Sequence, residues 1–203
     1  MLNAVIETFN PDTISLVGYS LGGNVLLKWL GEVRDYAMIN RAVAVSTPFT
    51  LSLCSQAMLS GAARLYGGYF TRRLLSDFLA KRRAFKQAGA ADFDLLSELG
   101  DMSHVSSILD FDDAITAPLH GFRNASDYYE RCSSINLLPH IAVPTLLIQA
   151  SDDPLIPLSA LPDPSQLSAS TRLELSAKGG HVGFVSGRNS NWLEHRILRF
   201  LHD

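Results

Sequence analysis

The sequence predicts an α/β fold in which a mostly parallel sheet is flanked by helices and interrupted by a helical insertion. Residues 13–17 form a short β-branched run, which is followed by a glycine-bounded turn, an apolar helix face and a second apolar run at 41–46. Strand, helix and strand in this order are typical of a parallel sheet. The same alternation returns after residue 134, whereas residues 47–133 contain no obvious strand.

The first predicted strand, residues 13–17, is expected to lie in the middle of the sheet. It follows a helical pattern of apolar residues that a proline turn at 10–12 interrupts. Because the run is short and apolar, we expect a neighbouring strand on each side of it. Residues 41–46 can supply one neighbour. The other would come from upstream of Met1, so we expect the N-terminal strands of the fold to be missing from this chain.

The predicted domain organisation is a core of residues 1–46 and 134–203, with residues 47–133 as a helical cap or insertion. Stretches rich in Leu, Ala and Arg, such as 70–85 and 103–115, indicate helices in the insertion. The second half of the core is expected to contain two more strands and a closing helix, at 145–149, 172–175 and 192–201.

Composition and charge are those of an ordinary globular protein. Apolar residues make up 47% and charged residues 18% of the 203 positions, which argues against disorder. Seventeen basic and twenty acidic side chains give a net charge of −3 without a long basic run. Neither nucleic acid nor an anionic membrane is therefore a favoured partner. The basic residues Arg72, Arg73 and 81–83 have helical spacing, and we interpret them as a solvated helix face, with a ligand-binding patch as the alternative.

The apolar stretches of the sequence are too short for a membrane-spanning helix, which needs roughly 18 consecutive apolar residues. The first residues also lack the basic start and apolar stretch of a signal peptide. We therefore expect a cytoplasmic protein. Membrane association stays open as an alternative, because targeting information can lie upstream of Met1.

Residues 18–22 match the motif Gly-x-Ser-x-Gly and have the preceding strand and following helix that the motif requires. In that setting Ser20 turns sharply from strand to helix, and its hydroxyl stands exposed above the sheet. We expect side chains at Gly18 and Gly22 to clash in this turn, and the next glycine to ease the start of the helix. The backbone N–H of Leu21 would lie near the positive end of the helix, where it could stabilise an oxyanion.

A serine hydroxyl needs a general base before it becomes a good nucleophile. His181 lies in the glycine-rich segment 178–183, between the last predicted strand and the closing helix. Glycines allow such a loop to approach a site closely. The other five histidines lack this setting, so His181 is the predicted base for Ser20.

The base in turn needs a carboxylate that holds its tautomer and stabilises its cation. Asp152 and Asp153 follow the strand predicted at 145–149. We favour Asp153, because it begins an Asp-Pro-Leu-Ile-Pro segment, and we expect Asp152 to cap the turn. A further acidic cluster at 110–113 lies in the insertion and is interpreted as solvated or capping. With either aspartate the chain order is serine, acid, histidine, which is the order of the α/β-hydrolase fold.

Longer segments carry a more specific family resemblance. They are residues 18–28, 111–113, 116–122, 128–129, 144–148, 152–154 and 179–184, and together they span most of the chain. These segments resemble the bacterial YheT-like proteins and the related eukaryotic ABHD-type esterases. The resemblance implies hydrolysis of small-molecule carboxylic esters, with short or medium acyl chains or derived from lipids. It also implies a triad matching Ser20, Asp153 and His181, with neither a metal nor an organic cofactor.

The chain departs from this family at its start. Family members carry further strands ahead of the nucleophile strand, together with the loop that gives a second oxyanion donor. Here Leu21 is the one donor identified, and loss of such a donor typically costs about 10²–10³ in rate. The alternatives are therefore a truncated, inactive or non-catalytic hydrolase fragment, and an acyltransferase or lipase with the same triad.

Overall fold

The computed structural model describes residues 2–34, 36–185 and 191–202. The chain divides into two compact units, one comprising residues 1–49 and 133–203 and the other residues 50–132. The strands are β1 (Ile14–Tyr19), β2 (Ile39–Val45), β3 (Thr145–Ala150) and β4 (Thr171–Ser176). In chain order the α-helices are α1 (Leu2–Phe9), α2 (Leu21–Val33), α3 (Leu51–Ala57), α4 (Ala63–Ala88), α5 (Phe93–Glu98), α6 (Ile108–Phe111), α7 (Ala117–Leu119), α8 (Ala125–Cys132) and α9 (Trp192–His202). A π-helix spans Asp112–Thr116, and 3₁₀ helices span Ile135–His140, Leu158–Ala160 and Pro164–Gln166.

The first unit is built on a four-stranded sheet in the order β1-β2-β3-β4, and all of its strand pairs are parallel. The predicted α/β class is thus confirmed. Each strand lies within two residues of its predicted bounds, and the predicted closing helix is α9. Among the described residues β1 pairs with β2 alone, so the second neighbour expected for this strand stays a prediction.

Both faces of the sheet are covered by helices, as a parallel sheet requires. Successive residues of a strand point to opposite faces, so Ala42 and Ala44 of β2 lie on one face and Val43 and Val45 on the other. The first face joins a core that contains buried leucines of α2, and the second joins a core that contains buried residues of α9. These two cores fix the sheet and thereby the positions of the loops at its carboxyl edge.

The second unit is helical, and no strand occurs among its described residues. The stretch 70–85 lies inside α4. Of the stretch 103–115, residues 103–107 are not helical, whereas 108–115 are. Its core contains the buried side chains Phe78, Leu96, Met102, Val105 and Ile115. Helix α4 ends at Gly89, which adopts a φ of 60° and donates its N–H to the last turn of the helix.

The acidic cluster 110–113 is only partly as expected. Asp110 forms a capping box at the start of α6, and Asp113 accepts the N–H of Ala125. Asp112 is half-buried, and its carboxylate accepts the hydroxyls of Tyr129 and Thr116, each at 2.7 Å. Burial raises the pKa of the Asp112 carboxyl, although these two hydrogen bonds oppose the shift.

None of the described helices is both long and apolar enough to cross a membrane.

Candidate active site

Ser20 occupies a strained turn between the end of β1 and the start of α2. Its φ of 50° and ψ of −125° are rare for a residue with a side chain; such a conformation costs about 1–3 kcal/mol and persists only where the surroundings enforce it. The Ser20 N–H donates to the carbonyl oxygen of Val45 at 2.8 Å, and its carbonyl accepts the N–H of Gly23 at 2.9 Å. The turn is therefore held from the sheet on one side and from the helix on the other.

The three glycines around Ser20 differ in whether a side chain would fit at their positions. A Cβ atom at Gly18 would lie 2.6 Å from the carbonyl oxygen of Gly22, and one at Gly23 would clash with the side chain of Thr47. A Cβ at Gly22 itself would meet nothing within 4 Å. The prediction of a clash at Gly22 is therefore wrong. The close contact is between Gly18 and the backbone of Gly22, so it is a side chain at Gly18 that would clash.

Leu21 is the first residue of α2, so its N–H has no partner one turn earlier in the helix. The positive end of the helix dipole lies at the same place. The backbone N–H next to Ser20 thus has the properties expected of an oxyanion donor. No described residue is assigned as the second donor.

His181 reaches Ser20 from the turn that follows β4. Its Nε2 lies 3.0 Å from the Ser20 Oγ, and its Nδ1 lies 2.9 Å from the Asp153 Oδ2. The turn is held by the N–H of Val182, which donates to the Oγ of Ser46 at 3.2 Å, and by Gly180, whose φ is 58°. The structure therefore brings the predicted serine, histidine and favoured aspartate into one hydrogen-bonded chain.

The two neighbouring aspartates have separate contacts. The Asp153 side chain is fully buried, and its Oδ1 accepts the N–H groups of Leu155 at 2.8 Å and Ile156 at 3.2 Å. Asp152 is exposed, and its Oδ1 accepts the N–H groups of Gly179 and Gly180, each at 2.8 Å. Asp152 thus shapes the turn that carries His181, whereas Asp153 contacts the imidazole.

Gln149 is a contributor that the sequence interpretation missed. It lies on β3, is fully buried, and donates from Nε2 to the Oδ2 of Asp153 at 3.3 Å. Its Oε1 accepts the N–H of Thr47 at 3.0 Å. A polar residue near the end of a buried apolar strand, four positions before the acid, marks the position, but this pattern does not reveal which groups the side chain contacts.

The described residues contain no group of three or more His, Cys, Asp or Glu side chains placed to hold a metal ion. The hydrogen-bonded series of Ser20, His181 and Asp153 is suited to nucleophilic attack by a hydroxyl that a histidine deprotonates.

The fold and the arrangement of these residues define the class of protein. Residues 1–187 match the family described as alpha/beta hydrolase fold, and the chain belongs to that family.

Among curated proteins, the chain is 40% identical over 196 residues to the putative esterase YheT of Escherichia coli, covering 95% of this chain and 56% of that protein. It is 29% identical over 203 residues to a monoacylglycerol lipase of Saccharomyces cerevisiae, covering 98% of this chain and 44% of that protein. These matches confirm the resemblance inferred from the sequence segments. The chain spans about half the length of the curated relatives it matches.

Two solved structures show the same fold. The monoacylglycerol lipase of Paleococcus ferrophilus aligns with a TM-score of 0.53 and 16% identity, over 98% of this chain and 72% of that one. The Pyrococcus furiosus esterase Pf2001 aligns with a TM-score of 0.52 and 15% identity, over 99% of this chain and 57% of that one. At such low identity these structures support the fold and nothing finer.

Proposed function

We propose that this chain carries the active site of a serine hydrolase that cleaves carboxylic esters through an acyl-enzyme. The observation that supports it most directly is the continuous chain of hydrogen bonds from Ser20 through His181 to Asp153. The similarity to an esterase and to a monoacylglycerol lipase favours substrates that are small-molecule or lipid-derived esters.

In the first half-reaction the Ser20 Oγ attacks the ester carbonyl carbon, and its proton passes to the Nε2 of His181. The carbonyl oxygen becomes an oxyanion, which the N–H of Leu21 would stabilise. The tetrahedral intermediate then collapses, the bond to the alcohol oxygen breaks, and His181 gives its proton to the leaving alcohol. The acyl group remains on Ser20.

In the second half-reaction water repeats the attack on the acyl-enzyme, with His181 again as the base. Release of the acid returns the proton to Ser20. Throughout, the carboxylate of Asp153 accepts the Nδ1–H, so it fixes the reactive tautomer and stabilises the imidazolium that forms twice per cycle. Its burial strengthens this interaction, because water does not compete for the carboxylate.

The helical insertion predicted at 47–133 is our proposed cap for the substrate. An acyl acceptor other than water would make the same triad an acyltransferase. The proposed localisation is cytoplasmic.

The test is covalent labelling with a fluorophosphonate probe together with hydrolysis of p-nitrophenyl esters. We expect labelling and turnover in the wild type and neither in Ser20→Ala. The matched control is Ser15→Ala, at an exposed serine on β1, the strand that leads to Ser20; it should leave both signals unchanged. Undiminished labelling of Ser20→Ala would refute the nucleophile. A folded wild type that neither reacts nor turns over would favour the non-catalytic alternative for this chain.

A further inference from the structure

Helix α4, the longest of the described helices, has an apolar side that is exposed. Tyr66, Tyr69, Phe70 and Arg73 follow the spacing i, i+3, i+4 and i+7, so they share one side of the helix. Tyr66 is 48% and Tyr69 55% exposed, and Leu65 beside them is 77% exposed. A helix that only separated its core from water would carry polar side chains there.

The other side of α4 is already used. Gly67, Thr71 and Phe78 are buried, and their spacing places them opposite Tyr69. A Cβ at Gly67 would lie 2.7 Å from the carbonyl oxygen of Met58, which shows how closely this side is packed. The exposed aromatic side chains are therefore a second apolar surface and not a part of the core.

Positive charge is concentrated on the same helix. Seven of the seventeen basic residues of the chain lie in α4. Of the twenty acidic residues of the chain, only Asp77 lies in this helix. The helix thus carries a net charge of +6 in a chain whose net charge is −3. Arg72 and Arg73, next to the aromatic residues, are exposed. The absence of a long basic run in the sequence argues against an anionic membrane as a partner. This criterion does not detect basic and exposed aromatic residues that share one helix without being consecutive.

We propose that α4 docks on an anionic lipid surface through its exposed side. Leu65, Tyr66, Tyr69 and Phe70 would enter the boundary between headgroups and acyl chains, where amphipathic aromatic rings are favoured. The guanidinium groups of the two neighbouring arginines would pair with lipid phosphates.

A lipid surface fits this helix better than a discrete protein partner does. The 26 residues of the helix extend about 39 Å. Arg72, Arg73 and Arg83 are exposed, and their spacing places them on or beside the aromatic side, whereas Arg82 lies nearer the buried side and donates to the carbonyl oxygen of Gly100. The exposed side therefore combines aromatic rings with three guanidinium groups, which complement a plane of phosphates. The combination of a basic polar surface, exposed Leu, Tyr and Phe, and low overall hydropathy is the pattern of helices that lie in the plane of a bilayer interface.

The test is flotation of the chain with vesicles, done in the Ser20→Ala background so that binding is measured without turnover. One vesicle preparation is phosphatidylcholine alone and the other contains one third phosphatidylglycerol. We expect binding to the second preparation only, weakening as salt is added. Two α4 variants, Arg72→Gln/Arg73→Gln and Tyr66→Ser/Phe70→Ser, should each bind at least about tenfold more weakly.

The matched control is Leu198→Ser/Arg199→Gln, which removes an exposed leucine and an exposed arginine from α9 of the other unit. It should bind as the parent does, and all variants should keep the parent's melting temperature. Equal binding by the parent and both α4 variants would overturn the proposal, and so would an equal loss in the α9 control. Concentration-dependent dimers that the α4 substitutions abolish, with no vesicle binding, would instead assign the surface to a second copy of the chain.

Discussion

Gln149 and Asp153 are joined by a hydrogen bond of 3.3 Å from the amide Nε2 to the carboxylate Oδ2, and both side chains are buried. The same amide accepts the N–H of Thr47 at 3.0 Å through its oxygen. Gln149 therefore connects the carboxylate that contacts His181 to the chain that follows β2.

Replacing Gln149 by Leu should reduce both stability and turnover. The substitution leaves the buried N–H of Thr47 without its acceptor, which costs about 1–3 kcal/mol of unfolding free energy. It also removes a donor that orients Asp153, so we expect kcat for p-nitrophenyl esters to fall more than KM changes. Urea unfolding and steady-state kinetics measure the two effects. Gln56→Leu, at an exposed position of α3, is the control; wild-type kcat in folded Gln149→Leu would contradict the prediction.

Strand β3 was predictable from the sequence, whereas the role of Gln149 was not. The apolar run 145–148 has the composition of a buried strand, and burial of both faces follows from the parallel α/β order. A glutamine at the end of such a run is equally compatible with a strand that leaves the core. Its contact with Thr47 joins positions 102 residues apart, and this pairing depends on which strands are neighbours in the sheet.

The adjacent aspartates should differ sharply in their effects on catalysis. Asp153→Asn keeps the shape of the site but favours the wrong histidine tautomer, so we expect kcat to fall by about 10⁴-fold. Asp152→Asn retains an oxygen that can accept the N–H groups of Gly179 and Gly180, and it should lower kcat far less. Steady-state ester hydrolysis by the two variants gives the ranking. A larger loss for Asp152→Asn would transfer the proposed role to that residue.

Two glycines of the Gly-x-Ser-x-Gly motif should respond oppositely to alanine. Gly18→Ala places a Cβ 2.6 Å from the backbone oxygen of Gly22, and we expect it to destabilise the fold by about 1–3 kcal/mol. Gly22→Ala adds a methyl group in open space within helix α2, where alanine is favoured over glycine by about 0.5–1 kcal/mol. Urea unfolding of both variants measures the difference. Equal destabilisation would mean that Gly22 is also sterically required.

The motif spacing alone could not distinguish these two glycines. It identifies a strand, a turn and a helix, and it places Ser20 at the turn. Which glycine is crowded depends on the path of the backbone after the turn, since the first turn of α2 folds back over Gly18. That path is set by hydrogen bonds of Ser20 to β2 and to the helix, which the five-residue pattern does not record.

The contribution of Asp112 to the chain's stability should fall as the pH rises from acid to neutral. Burial raises the pKa of its carboxyl above the ordinary value of 3.8, so the folded state binds its proton more tightly than the unfolded state does. The stabilisation from this group is complete below 3.8 and is lost as the pH rises through the folded pKa. Asp112→Asn does not titrate and keeps an oxygen for the Tyr129 hydroxyl. Its unfolding free energy relative to wild type should therefore increase between a pH below 3.8 and neutrality, as measured by urea unfolding.

Asp127 provides a control of opposite sign within the same unit. Hydrogen bonding to Arg123, the largest cause, lowers the pKa of the Asp127 carboxyl to about 2. Its stabilisation is present above the unfolded pKa and is lost as the pH falls through the folded one. Asp127→Asn should therefore lose stability relative to wild type as the pH rises from about 2 to 3.8, which is below the range in which Asp112→Asn gains it. If both variants changed in the same direction, the cause would be a general effect of removing a negative charge, and the Asp112 carboxyl would not be the group that burial penalises.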